Sequence, residues 1–171
     1  MTVLVRHLTA RALGALSVGI FTILVLDVLW GVVTRYLFGH QAIWSEELAR
    51  LLLVWLSMLG GALAYIERAH LGVDILTRLF DPDAGRIANV TTHLVVLLFA
   101  AGVMVYGGSA LFLDRWASGQ VLSAVPILKA WVYLSVPVSG LVIAIFALDS
   151  VIGAATGRIE PPAGTATRVT T

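Results

Sequence analysis

The chain has 171 residues and a formal charge of +1; 59% of its residues are hydrophobic and only 12% are charged. A soluble domain is about 45–50% apolar and about 25% charged, so this sequence cannot cover a water-facing exterior and points to lipid as its solvent. The near-neutral charge offers no general attraction for nucleic acid, and the lack of cysteine excludes a disulfide, a thiol nucleophile and a thiolate metal site without deciding the compartment.

Four apolar runs predict an all-α integral membrane protein with four transmembrane helices and short interfacial helical segments. The runs lie at about 12–34, 49–66, 88–113 and 130–152, within a transmembrane domain of residues 1–152. Each approaches the roughly 20 residues needed to cross about 30 Å of hydrocarbon, the second only if Glu46 to Arg50 begin the same helix. A signal peptide is the rival reading of the first run, but that run is long for one and no small-residue cleavage site follows it. Trp30 and Tyr36 instead sit where an interface belt belongs. With the N-terminus inside, Arg6, Arg11, Arg68, Arg78, Arg86, Arg158 and Arg168 flank the inner ends, against Arg35, Arg50, Arg115 and Lys129 outside. This bias predicts a cytoplasmic N-terminus and, after four crossings, a flexible cytoplasmic tail over residues 153–171.

The connectors carry local signals. Ser45 reads as an N-cap for the second helix, with Glu46 and Glu47 at its positive end and Arg50 one turn beyond Glu46. After the second run, Leu71, Ile75, Leu76, Leu79 and Phe80 share one helical side opposite Asp74 and Arg78, as in a helix lying in the inner interface. Asp81 and Pro82 then read as the cap and first position of the third helix. The outer connector 114–129 is half apolar and is expected to lie along the membrane or on a partner. Pro137 has no amide hydrogen for the carbonyl of Tyr133, which predicts a bend in the last span.

Polar groups within apolar runs are the candidate functional residues. Asp27 lies near the middle of the first span, where a carboxylate calls for a cavity or a partner. It reads either as an ion or proton site or as one half of a structural pair with Arg50 or with another subunit. Gly31 and Arg35 continue its face. His93 and Asp149 have similar depth near the inner ends of spans three and four, so they suit a hydrogen bond or, less simply, a proton relay. Small residues at Ala15 and Gly19, Gly60 and Ala64, and Gly107 and Gly108 offer close helix contacts. No phosphate loop or HExxH spacing occurs, so no catalytic residue, cofactor site or metal site is expected.

Residues 35–74 bring these features together. Arg35, Tyr36 and Phe38 follow the first span; Trp44, Glu46, Glu47 and Arg50 open the second; Trp55, Gly60 and Gly61 lie within it; and Arg68, His70 and Asp74 follow it. This stretch resembles the signature region of the small membrane subunit of tripartite ATP-independent periplasmic (TRAP) transporters, the Q-type or DctQ-like family. The likeness extends more loosely through Pro126, Trp131, Tyr133 and Pro137. It implies a subunit in the bacterial or archaeal cytoplasmic membrane whose partners are lipid, a large multispanning membrane subunit and an extracytoplasmic solute-binding protein. It also implies uptake of organic acids driven by an ion gradient, with sodium coupling and the main path in the large subunit. The competing reading is an independent small carrier acting as a homo-oligomer, with Asp27, or His93 and Asp149, lining its path. Neighbouring genes for a large polytopic protein and a secreted binding protein would favour the first.

Overall fold

The computed structural model describes residues 3–40, 42–67, 82–124 and 126–155. The described residues fold as α1 (Val3–Phe38), α2 (Ile43–Ile66), α3 (Pro82–Phe99), a π-helical stretch (Ala100–Gly107), α4 (Gly108–Ala117), α5 (Ala130–Tyr133) and α6 (Ser135–Ala155). Four helical rods are long and apolar enough to cross a membrane: α1, α2, α3 to α4 taken through the π stretch, and α5 to α6.

Each rod outruns its apolar core. The 36 residues of α1 span about 54 Å at 1.5 Å per residue, well beyond about 30 Å of hydrocarbon. The second begins at Ile43, so Glu46 to Arg50 do belong to it. The last continues to Ala155, three residues past the boundary expected for the tail. The remainder of the tail, the interfacial segment 71–80, and Arg68, His70, Asp74 and Asp81 lie outside the described residues.

The rods stand in the spatial order one, two, four, three, since α1 neighbours α2, α2 neighbours α6, and α6 neighbours α3 and the π stretch. Spans two and four are therefore the more buried, and spans one and three form the edges. Large apolar side chains such as Phe21, Leu26, Leu29, Leu98, Phe99 and Leu141 are exposed, as expected where hydrocarbon takes the place of a protein interior. The core gathers toward one end, where Leu13, Leu59, Tyr65, Ile66, Phe146 and Ala147 pack with Val96 and Leu97 of span three.

Spans three and four meet almost backbone to backbone. A Cβ on Gly108 would lie 3.0 Å from Pro137 Cδ and from Val136 Cγ1, and one on Gly140 would lie 2.5 Å from Met104 Cβ. Both rods depart from α-helical bonding near this crossing, through the π stretch in one and an interruption at Leu134 in the other. The second departure answers to Pro137, which cannot donate to the carbonyl of Tyr133. Buried serines take up neighbouring carbonyls: Ser135 Oγ donates to Val132 O at 2.8 Å, and Ser139 Oγ donates to Ser135 O at 2.8 Å. Gly108 is thus one of the expected thin points. Gly19 and Gly60 are not: a Cβ at either meets nothing within 4 Å, and the same holds at Gly61.

Gly39 and Gly119 close α1 and α4 with φ of 76° and 62°. Their amides reach back to Arg35 O at 3.1 Å and Trp116 O at 3.2 Å, in the left-handed conformation that glycine adopts without a Cβ penalty.

Candidate functional site

The polar side chains singled out in the sequence fall into three places: the α1–α2 seam, the end of the row carrying Glu47, and the end carrying Arg6.

In the seam, Leu24, Asp27, Gly31 and Thr34 form the buried stripe of α1, at the steps of three and four that place residues on one face. Thr34 Oγ1 donates to Gly31 O at 3.0 Å, and Ser45 Oγ donates across the seam to the backbone oxygen of Asp27 at 3.2 Å. Two expectations are corrected here. Ser45 is not the cap of α2: the helix starts two residues earlier, its cap position is Ala42 with no side-chain bond, and Ser45 falls on the face toward α1. Nor does Asp27 pair with Arg50. Both carboxylate oxygens of Asp27 are buried without a hydrogen-bond partner, while Arg50 Nη2 meets Glu46 Oε1 at 2.6 Å on the exposed side of α2. Five residues separate Ser45 from Arg50, which at 3.6 residues per turn carries Arg50 about 140° around the helix, away from α1. Arg35 is also exposed rather than part of the seam.

At the Glu47 end, the connector between spans three and four folds back as a small hairpin. Val121 pairs with Leu128, Leu122 N donates to Ile127 O at 2.9 Å, and Lys129 N donates to Gln120 O at 2.8 Å. Glu47 reaches it from the first turns of α2: its Oε1 accepts from Ser123 N at 2.9 Å and its Oε2 from Ala124 N at 2.8 Å. Trp55 Nε1 donates to Trp131 O at 3.0 Å, tying α2 to α5 just beyond the hairpin. The Phe112 ring meets Trp116 at a tilt and Trp116 meets Trp131 edge to face beside it, and the Arg115 guanidinium sits 5.9 Å above the Tyr133 ring. Trp44 is exposed and lines a shallow groove with His40, Ala42, Ile43 and Ala124. The amphipathic aromatic rings here suit a headgroup zone.

At the opposite end, Arg6 donates through Nε to Ile66 O at 2.9 Å and through Nη2 to the same oxygen. A cation at the C-terminus of α2 meets the unpaired carbonyls and the negative end of the helix dipole. Beside it, Tyr65 Oη and His93 Nδ1 are 2.9 Å apart, with the rings edge to face. Arg6, Tyr65, His93, Asp149 and Ser150 line one cavity of about 20 Å³, room for a single water. His93 and Asp149 are thus brought to the same place, as their depth suggested. Sequence reasoning missed Arg6 and Tyr65 as members of the cluster. The available signal was position: Tyr65 stands next to the end of the second apolar run and Arg6 precedes the first, at the same end of the spans as His93 and Asp149.

Among the described residues no group of histidine, cysteine, aspartate or glutamate side chains could hold a metal ion. Several of these polar groups join one helix or connector to another, and the arrangement defines a multi-span membrane protein. Residues 24–157 match the family described as tripartite ATP-independent periplasmic transporters, DctQ component, and the chain belongs to that family. It is 32% identical over 125 residues to the sialic acid TRAP transporter permease protein SiaT of Haemophilus influenzae, covering 73% of this chain and 19% of that one. A TRAP transporter small permease protein of Haemophilus influenzae is 32% identical over 92 residues, 54% of this chain and 57% of its own length. The sialic acid TRAP transporter small permease protein SiaQ of Vibrio cholerae is 28% identical over 111 residues, 65% of this chain and 62% of its own. The chain therefore spans less than two thirds of each of these relatives.

Proposed function

We propose that this TRAP small permease subunit is a scaffold: it braces a large multispanning membrane subunit and helps receive an extracytoplasmic solute-binding protein during ion-gradient-driven, sodium-coupled uptake of organic acids. The observation that carries the reading is where the polar side chains are spent. Arg6, Tyr65 with His93, Glu47 and Trp55 all join one helix or connector to another, which is the work of a brace. The reading places no catalytic step in this chain and no resident cofactor. Two of the relatives carry sialic acid in their names, which makes a sugar acid one candidate solute; the other organic acids are not distinguished by this subunit. The N-terminus and the Arg6 end face the cytoplasm in this reading, and Glu46, Glu47 and the hairpin face outward.

Reconstitution tests it. Proteoliposomes holding the large subunit with this chain should take up solute only with an inward sodium gradient and the solute-binding protein, and omission of this chain should abolish uptake. Uptake by this chain alone, or equal uptake without it, would overturn the scaffold reading in favour of a carrier or a dispensable subunit. The exposed Glu46–Arg50 pair is the proposed contact with the large subunit. Arg50→Ala should reduce co-retention of the two subunits, with a related defect from Glu46→Ala, and a double-mutant cycle separates their mutual pairing from two independent contacts. Normal co-retention in both variants would reject that contact.

A further inference from the structure

The hairpin between spans three and four holds itself together weakly. Among its described residues the pairing is one bridge, Val121 with Leu128, made by two backbone bonds, and a short hairpin on its own is marginal. A side chain 76 residues away ties it to α2. Glu47 gives one carboxylate oxygen to the amide of Ser123 and the other to the amide of Ala124. Two consecutive N–H groups on one carboxylate form a charge-assisted pair with defined geometry. The shallow groove at this end has walls from two different parts of the chain, His40 and Ala42 before α2 with Ile43 and Trp44 of its first turn on one side, and Ala124 of the hairpin on the other. Glu47 thus holds the residue that forms one wall of the groove.

We propose that Glu47 is a positioning residue: by latching the tip of the hairpin to the head of α2 it sets the surface that the solute-binding protein meets. This rests on the functional reading given above. The occupant follows from the predicted orientation, because both connectors lie at the end that the arginine bias assigns to the outside. A water-soluble extracytoplasmic protein can reach that end, and the connectors bring it backbone polar groups as well as apolar side chains. Glu46, one residue earlier, pairs with Arg50, so the two adjacent acids have separate duties.

The test uses the complete two-subunit complex in proteoliposomes, with Glu47→Gln and Glu47→Asp. Glutamine has one acceptor and turns an NH₂ toward the second amide. Aspartate keeps the charge at the start of α2 but is one methylene shorter, so it separates a latch from a charge serving the helix dipole alone. Both variants should speed hydrogen exchange in the segment containing Ser123 and Ala124 by about tenfold or more, as expected for loss of a charge-assisted bond. Both should also raise the concentration of solute-binding protein giving half-maximal uptake by about tenfold, with the maximal rate unchanged. Wild-type behaviour of the aspartate variant in both readouts would overturn the latch and leave only a charge effect. Faster exchange with an unchanged half-maximal concentration would overturn the positioning role. Wild-type uptake that does not depend on the solute-binding protein would overturn the underlying reading, and that result is seen before either variant is made.

Discussion

Gly140→Ala should be the most damaging single-methyl addition in the fourth span. The new Cβ would lie 2.5 Å from Met104 Cβ, 3.2 Å from Met104 C and 3.3 Å from Val105 N, whereas carbon atoms rest at about 3.5–4.0 Å. Two of the three atoms are backbone, so rotation of a side chain cannot relieve the overlap, and spans three and four must separate by about 1 Å at their crossing. Over-packing of this kind costs about 1–3 kcal/mol, and the separation also strains the Gly108–Pro137 contact on the same interface. Reversible unfolding of the purified subunit in detergent, followed by helicity, measures the loss directly. Gly60→Ala and Gly61→Ala are the matched controls, since a Cβ at either position meets nothing within 4 Å, and both should unfold like the wild type. Equal stability of Gly140→Ala and the controls would refute the close crossing and with it the packing of spans three and four described above.

Asp27 gives a prediction of opposite sign to the usual loss on removing a buried polar group. Because neither carboxylate oxygen has a partner, Asp27→Leu should leave the stability of the isolated subunit unchanged or raise it by about 1–3 kcal/mol, the cost of an unpaired buried polar group; a fall of that size would show that the carboxylate is satisfied within the chain. For topology, cysteine labelling in intact cells should reach positions near His40 and Gly119 from outside and positions near Arg6, Asp83 and Arg158 only after permeabilisation. Labelling of His40 and Asp83 from the same side would sink the four-crossing arrangement.

The number and approximate place of the crossings were legible in the sequence because hydropathy is a local sum: about 20 apolar residues in a row report their solvent whatever they touch. Residues four apart on one helix were equally legible, and Glu46 does meet Arg50. The family resemblance was carried by residues 35–74, yet within the described part of that stretch the side chains divide among lipid-facing, seam and hairpin roles that their types do not announce. Which faces meet was decided only in three dimensions. Glu47 and Ser123 are 76 residues apart, Tyr65 and His93 are 28 apart, and no periodicity relates them. The glycines make the same point. Gly60, four residues before Ala64, had the spacing of a packing motif and faces open space, while Gly140 stood in an unmarked position and has the closest Cβ contact described, 2.5 Å to Met104 Cβ. A glycine permits contact wherever it stands, but a neighbouring backbone has to arrive, and the spatial order one, two, four, three brings one to Gly140 and none to Gly60.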